Sequence, residues 1–479
     1  MANGDMARLF HRLTSYEPGR EWTDTVPDPW IVTSFEPNDL ELLPPPVKEF
    51  PAGLPVVPLP RELPTSPHGA LATLAGQTTK ADTLDLAQLA RLLHLSAGVV
   101  RTTKWQGGTF LFRAAGSAGG RFPLELYVVL PDALPDLSPG VYAYRPVEHA
   151  LVQLGPPPAG TTPGIVVTGV PWRTGWRYRE RGYRHIFWDA GTMLSQLLAL
   201  AASVGFRGRL YTDFPDVELR DLTGADGIAE FPIATVTLGD GPPGWTQHAP
   251  TAGGSVDESP VHFPLVTATH WAGVSSRWGE PWPLGDAVGS GLPAVPPVDD
   301  VIYQRGSARL MDPSSSVPRA LLETALTIAL RGIDLTHFVA VHDVEGLPSG
   351  VYRWPELADP VSEGNFRAEL RRIALDQGLA GDAAFVAIGA ADLTSISDRR
   401  YRELQLAAGI VAGRLHLVAY ALGYGASGMT FLDSEIADLL GEQLQAMLFT
   451  CVGVPEYANK RGGRPGEPVA IRQVKPRLD

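Results

Sequence analysis

The pattern of hydrophobic positions predicts helices and strands of the same kinds in both halves of the chain. In the first half, Leu86, Leu89 and Leu93 fall on one face of a helix that Thr83 can cap. The other predicted elements of this half are a buried strand at LELYVVL, a short strand at GVYAYRP and a buried helix from about Asp189 to Val204. Those of the second half are a helix from about Pro318 to Leu330, strands at THFVAVH and GVYRW, and a helix from Glu403 to Leu422. We therefore predict an α+β fold in each half.

Short matches in the same order indicate an internal repeat. The pairs that lie 218 residues apart are Tyr183 and Tyr401, Ala190-Gly191 and Ala408-Gly409, and Gly205 and Gly423. Upstream, the GVY of Gly140 recurs at Gly350, a spacing of 210, so one loop differs in length. We predict a duplicated unit, with one domain at 71–240 and the other at 301–479.

Two segments lie outside the repeat. Residues 1–70 are rich in proline, and we expect them to wrap a surface in extended form. Residues 241–300 are rich in Gly, Pro and Trp, and form either a lid over a site or an ordered linker between the domains. Their histidines, His248, His262 and His270, lack the cysteine or carboxylate spacing of a metal site, so we expect no metal.

Charge and composition narrow the possible functions. The net charge of −13 argues against a nucleic-acid binder, which would show a basic face. No run approaches about 18 consecutive apolar residues, so no membrane span is expected, and the N-terminus lacks the apolar core of a secretory signal. The single cysteine, Cys451, excludes an intrachain disulfide. We expect a cytoplasmic protein.

One candidate binding motif precedes the second domain. In Arg305-Gly-Ser307-Ala-Arg309, two guanidinium groups and a hydroxyl fall on one side of the chain if it is extended. Guanidinium groups match phosphate oxygens well, so the segment can act as a phosphate clamp. The same pattern also occurs on ordinary solvated surfaces.

A turn of small residues precedes the LELYVVL strand of the first half. Ser117, Ala118 and Gly119 leave room for a flat ligand to approach the backbone closely. A simple tight turn would have the same composition.

A third segment, Trp176-Arg177-Tyr178-Arg-Glu-Arg181-Gly-Tyr183-Arg184, is dense in tyrosine and arginine. Arg181 and Arg184 recur in the second half, which indicates a structural role in both. Arg177 and Tyr178 do not recur, since Ser395 and Ile396 stand at the matching positions. A feature present in one copy only is the better candidate for function.

The chain resembles the nitroreductase superfamily and, within it, the SagB-type dehydrogenases that form thiazoles and oxazoles in peptides. The segments that carry the resemblance are FHRLTSYEP, PPPVKEFPAGLPVVPLP, GSAGGRFPLELYVV, SPGVYAYRP, RYRERGYRHIFWDAG, RGSARLMDP, GMTFLDSEIADLLG and RGGRP. The resemblance implies tandem FMN-dependent domains that form an intrachain pseudo-dimer, with the flavin at their interface. A monomer and a homodimer of such chains are both compatible with it.

The resemblance also implies a composite flavin site. The residues implied are Arg305, Ser307 and Arg309 at the phosphate, Ser117, Ala118 and Gly119 along the ring, Gly428 and Met429 beside the flavin, and Arg461 and Arg464 near the phosphate. The counterpart site lacks both components, because ALATLAGQTTKAD contains no arginine and ALRGIDL replaces the small-residue turn. We therefore predict one FMN per chain.

The implied activity is the oxidation of azoline rings to azoles, with dioxygen re-oxidising the flavin. Tyr178 falls on the family's active-site tyrosine, but Arg177 stands where the family has lysine. Because arginine stays protonated, it cannot act as a general base; we expect Tyr178 to shuttle the proton and Arg177 to supply charge. An azoline-containing precursor peptide and a cyclodehydratase are the implied partners. The alternatives are an NAD(P)H-dependent nitroreductase or flavin reductase, and an inactive flavoprotein scaffold of a peptide-modifying complex.

Overall fold

A computed structural model describes residues 3–20, 29–32, 34–77, 84–246, 251–289 and 291–477. Within these ranges the helices are α1 (Asp5–Leu13), α2 (Ala70–Leu74), α3 (Leu86–Ala97), α4 (Pro171–Tyr178), α5 (Gly182–Ser203), α6 (Asp216–Thr223), α7 (Pro264–Ala272), α8 (Val298–Gln304), α9 (Arg319–Ala329), α10 (Arg367–Ile373), α11 (Leu379–Asp382), α12 (Asp398–Ala421) and α13 (Ile436–Leu440). The strands are β1 (Val56–Pro58), β2 (Val99–Trp105), β3 (Gly108–Arg113), β4 (Leu124–Leu130), β5 (Gly140–Arg145), β6 (Ala150–Gly155), β7 (Gly164–Gly169), β8 (Gly208–Tyr211), β9 (Phe231–Leu238), β10 (Thr336–Val341), β11 (Gly350–Arg353), β12 (Ser362–Glu363), β13 (Phe385–Ala391), β14 (Gly425–Met429), β15 (Gln445–Gly453) and β16 (Val469–Ala470).

Two antiparallel sheets have the same strand order. The first runs β1-β6-β5-β4-β7-β9-β8 and the second β12-β11-β10-β13-β15-β14. Without β1, each strand of the first sheet has a counterpart at the same place in the second. A third, small sheet joins β16 to the β2–β3 hairpin. The predicted α+β fold is confirmed, and the shared order is what duplication of one unit produces.

The long helices α5 and α12 pack directly against each other at the centre. A Cβ atom on Gly191 would lie 2.4 Å from the backbone nitrogen of Ile410, and one on Gly409 would lie 2.5 Å from the carbonyl oxygen of Trp188. These glycines belong to the repeated Ala-Gly pairs, so the repeat marks the place where the two helices come closest. Side chains at either glycine would force the helices apart.

The repeated arginines form two reciprocal clusters between the halves. Arg181 and Arg184 of the first half reach Asp433 of the second, at nitrogen–oxygen distances of 2.5 and 2.6 Å. All three side chains are buried. Burial alone would raise the pKa of Asp433, but the two guanidinium groups outweigh it and hold this pKa at about 2.

The second cluster repeats the first with the halves exchanged. Arg399 and Arg402 of the second half reach the buried Asp216 of the first, at 2.5 and 3.1 Å. Each half therefore supplies an arginine pair to a carboxylate of the other. The structural role inferred for Arg181 and Arg184 is confirmed, and it joins the two halves.

The N-terminal segment differs from the extended form that its prolines predict. Residues Asp5–Leu13 form α1, whose first turn is capped from the second half, since the Asp398 carboxylate accepts from the backbone nitrogens of Gly4 at 2.8 Å and Ala7 at 2.7 Å. Further along, the segment is extended and β1 joins the first sheet. Burial of the α1 hydrophobic face against the domains explains the helix.

Three helix boundaries also differ from prediction. Helix α12 begins at Asp398 rather than at Glu403, because the Ser397 hydroxyl caps it by accepting from the backbone nitrogen of Arg400 at 3.0 Å. Thr83, the predicted cap of α3, lies outside the described residues, and Asp85 caps this helix by accepting from the backbone nitrogen of Gln88 at 2.7 Å. Helix α5 begins at Gly182 rather than near Asp189, because its first turns are buried on all sides and carry no amphipathic pattern.

The segment 241–300 contains α7 and the start of α8. His248 lies outside the described residues, while His262 contacts Thr267 and His270 is buried beside Tyr183. The described residues contain no group of three or more His, Cys, Asp or Glu side chains that could hold a metal ion. One helix in the described ranges, α12, is long and apolar enough to cross a membrane, and 89% of its most apolar window is buried inside the protein.

Candidate functional site

The Arg305 side chain enters the first half from the second. Its Nε donates to Gln196 Oε1 at 2.8 Å and one terminal nitrogen donates to the Ala114 carbonyl at 2.5 Å. The other terminal nitrogen, NH1, is buried and has no hydrogen-bond partner among the described residues. Burial, together with the nearby Arg101 cation, lowers the pKa of Arg305 to about 10. An orphaned cationic N–H of this kind is a place where an anionic ligand gains a strong hydrogen bond.

The orphaned nitrogen faces the small-residue turn of the first half. A Cβ atom on Gly116 would lie 3.4 Å from Arg305 NH1 and 3.6 Å from Ser307 Oγ. The Ser307 side chain is exposed. The structure thus brings the predicted clamp of one half against the predicted turn of the other.

Arg309 is the second arginine of the predicted clamp. Its backbone nitrogen donates to the Tyr457 hydroxyl at 3.1 Å, and its guanidinium group forms no salt bridge with a described residue. Burial lowers the pKa of Arg309, and the nearby groups that modify it further are Tyr457, Arg177 and Tyr178. The second arginine of the clamp therefore lies close to the tyrosine–arginine pair of the first half.

The turn itself is held by a carboxylate on the central helix α5. Ser117 Oγ lies 2.5 Å from Asp189 Oδ2, and the Ala118 backbone nitrogen donates to Asp189 Oδ1 at 2.8 Å. The turn passes through Gly119, whose φ of 57° is in the left-handed region that favours glycine. Asp189 was not among the residues predicted from sequence.

Gly119 also sets the distance between this turn and α4. A Cβ atom there would lie 2.7 Å from both Arg177 Cδ and the Tyr178 hydroxyl. Arg177 NH1 donates to Asn38 Oδ1 at 3.3 Å. The two residues unique to the first half are thus packed against the predicted ring-lining turn.

Tyr178 is buried and stacks on His185, with 3.9 Å between ring centroids and 6° between ring planes. Burial raises the pKa of Tyr178, while the Arg177 guanidinium group opposes that shift. Both ring nitrogens of His185 are buried without a hydrogen-bond partner among the described residues, and burial holds the pKa of His185 well below its usual value. The pair is therefore a neutral phenol on a neutral imidazole at neutral pH.

Two further predicted residues lie at the end of β14. Gly428 is exposed and Met429 is buried. The Ala308 backbone nitrogen, between the two clamp residues Ser307 and Arg309, donates to the Ala426 carbonyl of this strand at 2.9 Å. Strand β14 is therefore adjacent to the clamp, and a Cβ atom on Gly428 would make only an ordinary contact, 3.9 Å from the Phe449 carbonyl oxygen.

Arg461 and Arg464 are directed at carboxylates rather than at the clamp. Arg461 pairs with Asp300 at 2.6 Å, and the carboxylate nearest to Arg464 is Glu62 at 3.8 Å. These carboxylates lie far away in sequence, so the sequence gives no sign of the competition. The basic residue near Arg305 is instead Arg101, which donates to the carbonyls of Lys460 and Tyr303, both at 2.6 Å.

Asp189 and Gln196, two site residues missed by the sequence analysis, could have been found by comparing the two copies of the repeat. The position 218 residues after Asp189 is Ala407, and the position 218 after Gln196 is Arg414. The comparison of the two copies that singled out Tyr178 would also have singled out these two. No sequence pattern marks Arg101.

The position that corresponds to this site in the repeat, at the loop before β10, is covered by other parts of the chain. Arg414 donates to the Arg331 carbonyl at 2.6 Å, in the loop before β10 where the first half has its small-residue turn. Arg331 in turn donates to the Gly285 carbonyl at 3.1 Å, and Trp282 Nε1 donates to the Gly332 carbonyl at 3.0 Å. The 241–300 segment therefore packs on this loop and occupies the approach to the second position.

Comparisons with known proteins agree with this architecture. Residues 302–454 match the model of the Nitroreductase family. The solved structure of a candidate nitroreductase from Anabaena variabilis aligns with 94% of this chain and 99% of its own, with a TM-score of 0.70 and 23% identity. The chain has a nitroreductase-like fold. FMN is the typical cofactor of the nitroreductase family, whose members are oxidoreductases.

Two further similarities cover part of the chain. A candidate nitroreductase from Methanocaldococcus jannaschii is 26% identical over 171 residues, which are 33% of this chain and 81% of that protein. The Escherichia coli microcin synthetase complex with a truncated peptide precursor contains a chain that aligns with 34% of this one and 70% of its own, at 19% identity and a TM-score of 0.28. The second similarity is too low to bear on the substrate.

Proposed function

We propose that this chain is an oxidoreductase that binds one FMN between two nitroreductase-like units, which form a pseudo-dimer within one chain. The observation that carries the proposal is the buried NH1 of Arg305, which has no hydrogen-bond partner in the part of the chain that the structure describes and faces Gly116 of the other half. The donor set suits a phosphate monoester, because the Arg305 guanidinium group and the Ser307 hydroxyl face the same turn and Arg309 follows them in the same segment. Arg305, Ser307 and Arg309 would hold the phosphate.

The ring of the cofactor would lie along the turn at Ser117, Ala118 and Gly119 and beside Gly428 and Met429. Bound FMN supplies a two-electron acceptor at this position. The turn is close to the Tyr178 hydroxyl and to Arg177, so a substrate stacked on the ring would meet both. The closed counterpart position supports a stoichiometry of one FMN per chain.

The reaction that we propose is the oxidation of thiazoline or oxazoline rings in a ribosomally made peptide to the aromatic azoles. The ring loses two electrons and two protons, with dioxygen as the final oxidant. Since burial raises the pKa of Tyr178, its phenol works as a neutral relay that accepts one proton at its oxygen as it passes its own on. Arg177, always charged, would hold a carbonyl of the substrate.

A second candidate is an NAD(P)H-dependent nitroreductase or flavin reductase. The solved structure that aligns with almost the whole chain and the partial relative from Methanocaldococcus jannaschii are both named as candidate nitroreductases, which favours this alternative. Such an enzyme would use the same clamp and ring-lining turn, and would differ in what stacks on the ring.

The partners and assembly follow from the peptide reaction. We propose an azoline-containing precursor peptide as substrate, a cyclodehydratase as the enzyme that makes it, and a cytoplasmic location. The two units within one chain already make the interface, so either a monomer or a homodimer fits.

The clamp is tested by comparing Arg309→Ala with Arg461→Ala. A hydrogen bond to a charged group contributes about 1.5–3 kcal/mol, so loss of the Arg309 contact should weaken FMN binding by roughly 10- to 150-fold. Arg461 is paired with Asp300 on the surface, and its removal should change FMN affinity less than about threefold. Fluorescence titration of apoprotein with FMN measures both; equal affinities in the two variants would refute the clamp.

The role of Tyr178 is tested by Tyr178→Phe. The variant keeps the ring that stacks on His185 and removes only the hydroxyl, so FMN should stay bound. Turnover of an azoline peptide should fall by about 10²-fold or more, the size of a general acid–base contribution. Unchanged turnover would remove Tyr178 from the mechanism.

A further inference from the structure

Asp189 is a buried carboxyl group whose two oxygens both serve the ring-lining turn. Oδ1 accepts from the Ala118 backbone nitrogen at 2.8 Å, and Oδ2 lies 2.5 Å from Ser117 Oγ. Ser117 Oγ also accepts from the Phe122 backbone nitrogen at 2.8 Å. Asp189 is 4% exposed, whereas the Ser117 side chain is only partly buried and can reach a ligand.

The protonation state of Asp189 decides where the Ser117 hydroxyl hydrogen points. A hydroxyl has one hydrogen and two lone pairs, and the Phe122 N–H already occupies one lone pair. If Asp189 is ionised, Ser117 must donate its hydrogen to Oδ2. If Asp189 is neutral, Oδ2–H donates to Ser117 Oγ, the second lone pair is filled, and the Ser117 hydrogen is left for a ligand.

The surroundings of Asp189 favour the neutral acid up to about neutral pH. Burial raises its pKa to about 7, against the opposing hydrogen bonds from Ser117 and Ala118. No salt bridge with a described cation reaches Asp189, in contrast to the buried Asp433 and Asp216, which each meet two arginines.

Several other ionisable groups lie around this carboxyl. Tyr178 is close enough to be affected by its charge, and the groups that act on Tyr178 from the other packed elements are Arg177 and Arg121. Arg309 of the second half acts on the same tyrosine. His185 is one turn earlier on α5 and stays neutral. None of these replaces Asp189 as the hydrogen-bond partner of Ser117.

We propose that Asp189 is a positioning residue that, as a neutral acid, donates to Ser117 and frees the Ser117 hydroxyl hydrogen to bind an acceptor atom of the flavin ring. On ionisation it takes that hydrogen back, and the contact to the ring is lost. The inference rests on the proposed function in one respect, the placement of the ring along Ser117. Its counterpart position holds Ala407, so this device is present at one of the two positions only.

The variant Asp189→Asn separates the two states. Its amide can donate from Nδ2 to Ser117 Oγ and accept at Oδ1 from Ala118, which reproduces the bonds of the neutral acid at every pH. We expect wild-type FMN affinity to fall by about fivefold as the pH rises from about 5 to about 9, because one hydrogen bond worth about 1 kcal/mol is lost as Asp189 ionises. Asp189→Asn should keep the tight affinity throughout. The titration is of apoprotein with FMN, followed by fluorescence.

Ser117→Ala is the matched control, because it removes the hydroxyl and leaves Asp189. Its FMN affinity should be weaker than that of the wild type at about pH 5 and should lack the fivefold step. If either variant shows the same fall in FMN affinity with pH as the wild type, the inference is refuted. Titration of the FMN phosphate or of other groups would then be the cause, because it is common to all three proteins. Failure of the wild type to bind FMN at any pH would instead refute the proposed function. If Asp189→Asn does not fold, the comparison of wild type with Ser117→Ala still decides.

Discussion

Removal of the Asp433 charge should cost several kcal/mol of stability, because two buried arginines share this carboxylate as their ion-pair partner. In Asp433→Asn, Arg181 and Arg184 keep an acceptor oxygen but lose their counter-charge in a fully buried setting. Breaking a buried ion pair by removing one partner typically costs about 3–5 kcal/mol. The structure therefore predicts a loss of that size in the free energy of unfolding at pH 7.

The pKa of Asp433 gives a second, independent magnitude. Its folded value of about 2 lies below the usual value of 3.8, so the carboxylate contributes stability that is present above about pH 4 and is lost as the pH falls towards 2. A difference of nearly two pKa units corresponds to about 2 kcal/mol. The wild type should lose this contribution over that window, whereas Asp433→Asn should not.

The reciprocal cluster supplies the comparison. Asp216→Asn leaves Arg399 and Arg402 without their carboxylate and should destabilise the protein by a similar amount. Glu148→Gln, which removes an exposed partner of Arg145, should cost less than about 1 kcal/mol. Thermal and urea unfolding followed by tryptophan fluorescence measures all three. If Asp433→Asn were as stable as Glu148→Gln, the reasoning about the clusters would be refuted.

Two further predictions concern a buried ion pair and the contact between the central helices. Lys48→Met should lower the free energy of unfolding by about 3–5 kcal/mol, because the substitution leaves Glu230 buried without its cation. Urea unfolding measures this loss, and recovery of stability in a double variant with Glu230→Gln would support the stated cause. An unchanged free energy of unfolding in Lys48→Met alone would contradict the prediction. Gly409→Val should lower the melting temperature or prevent folding, because its Cβ would meet the Trp188 carbonyl at 2.5 Å and overpacking costs about 1–3 kcal/mol or more. Gly289→Ala, in open space, should leave the melting temperature unchanged, and a Gly409→Val protein as stable as this control would show that the helices are not in close contact.

Local sequence patterns predicted the parts of the fold that are buried on a regular period. The strand Leu124–Leu130 has the predicted bounds, and the predicted helix from Pro318 to Leu330 is observed at Arg319–Ala329. The patterns failed where burial comes from elsewhere in the chain. Helix α1 is fixed by Asp398, almost 400 residues away, and the first turns of α5 are buried on every side.

The site was predicted to the extent that its residues form local motifs or differ between the two copies. Arg305 and Ser307 face the Gly116 turn, and Tyr178 lies against Gly119. The ion pair of Arg461 with Asp300 could not be predicted, because Asp300 belongs to a segment far away in the sequence. Asp189 was missed although its replacement by Ala407 in the second copy was visible in the sequence.

The visible spectrum of the purified protein, recorded before and after addition of NADH or NADPH without air, tests the single composite flavin site most directly. We expect a yellow protein with one FMN per chain that is not bleached by nicotinamide but is bleached by an azoline peptide. Rapid bleaching by nicotinamide would favour the nitroreductase alternative. A protein that takes up no FMN, or two per chain, would contradict the central claim of a single composite flavin site.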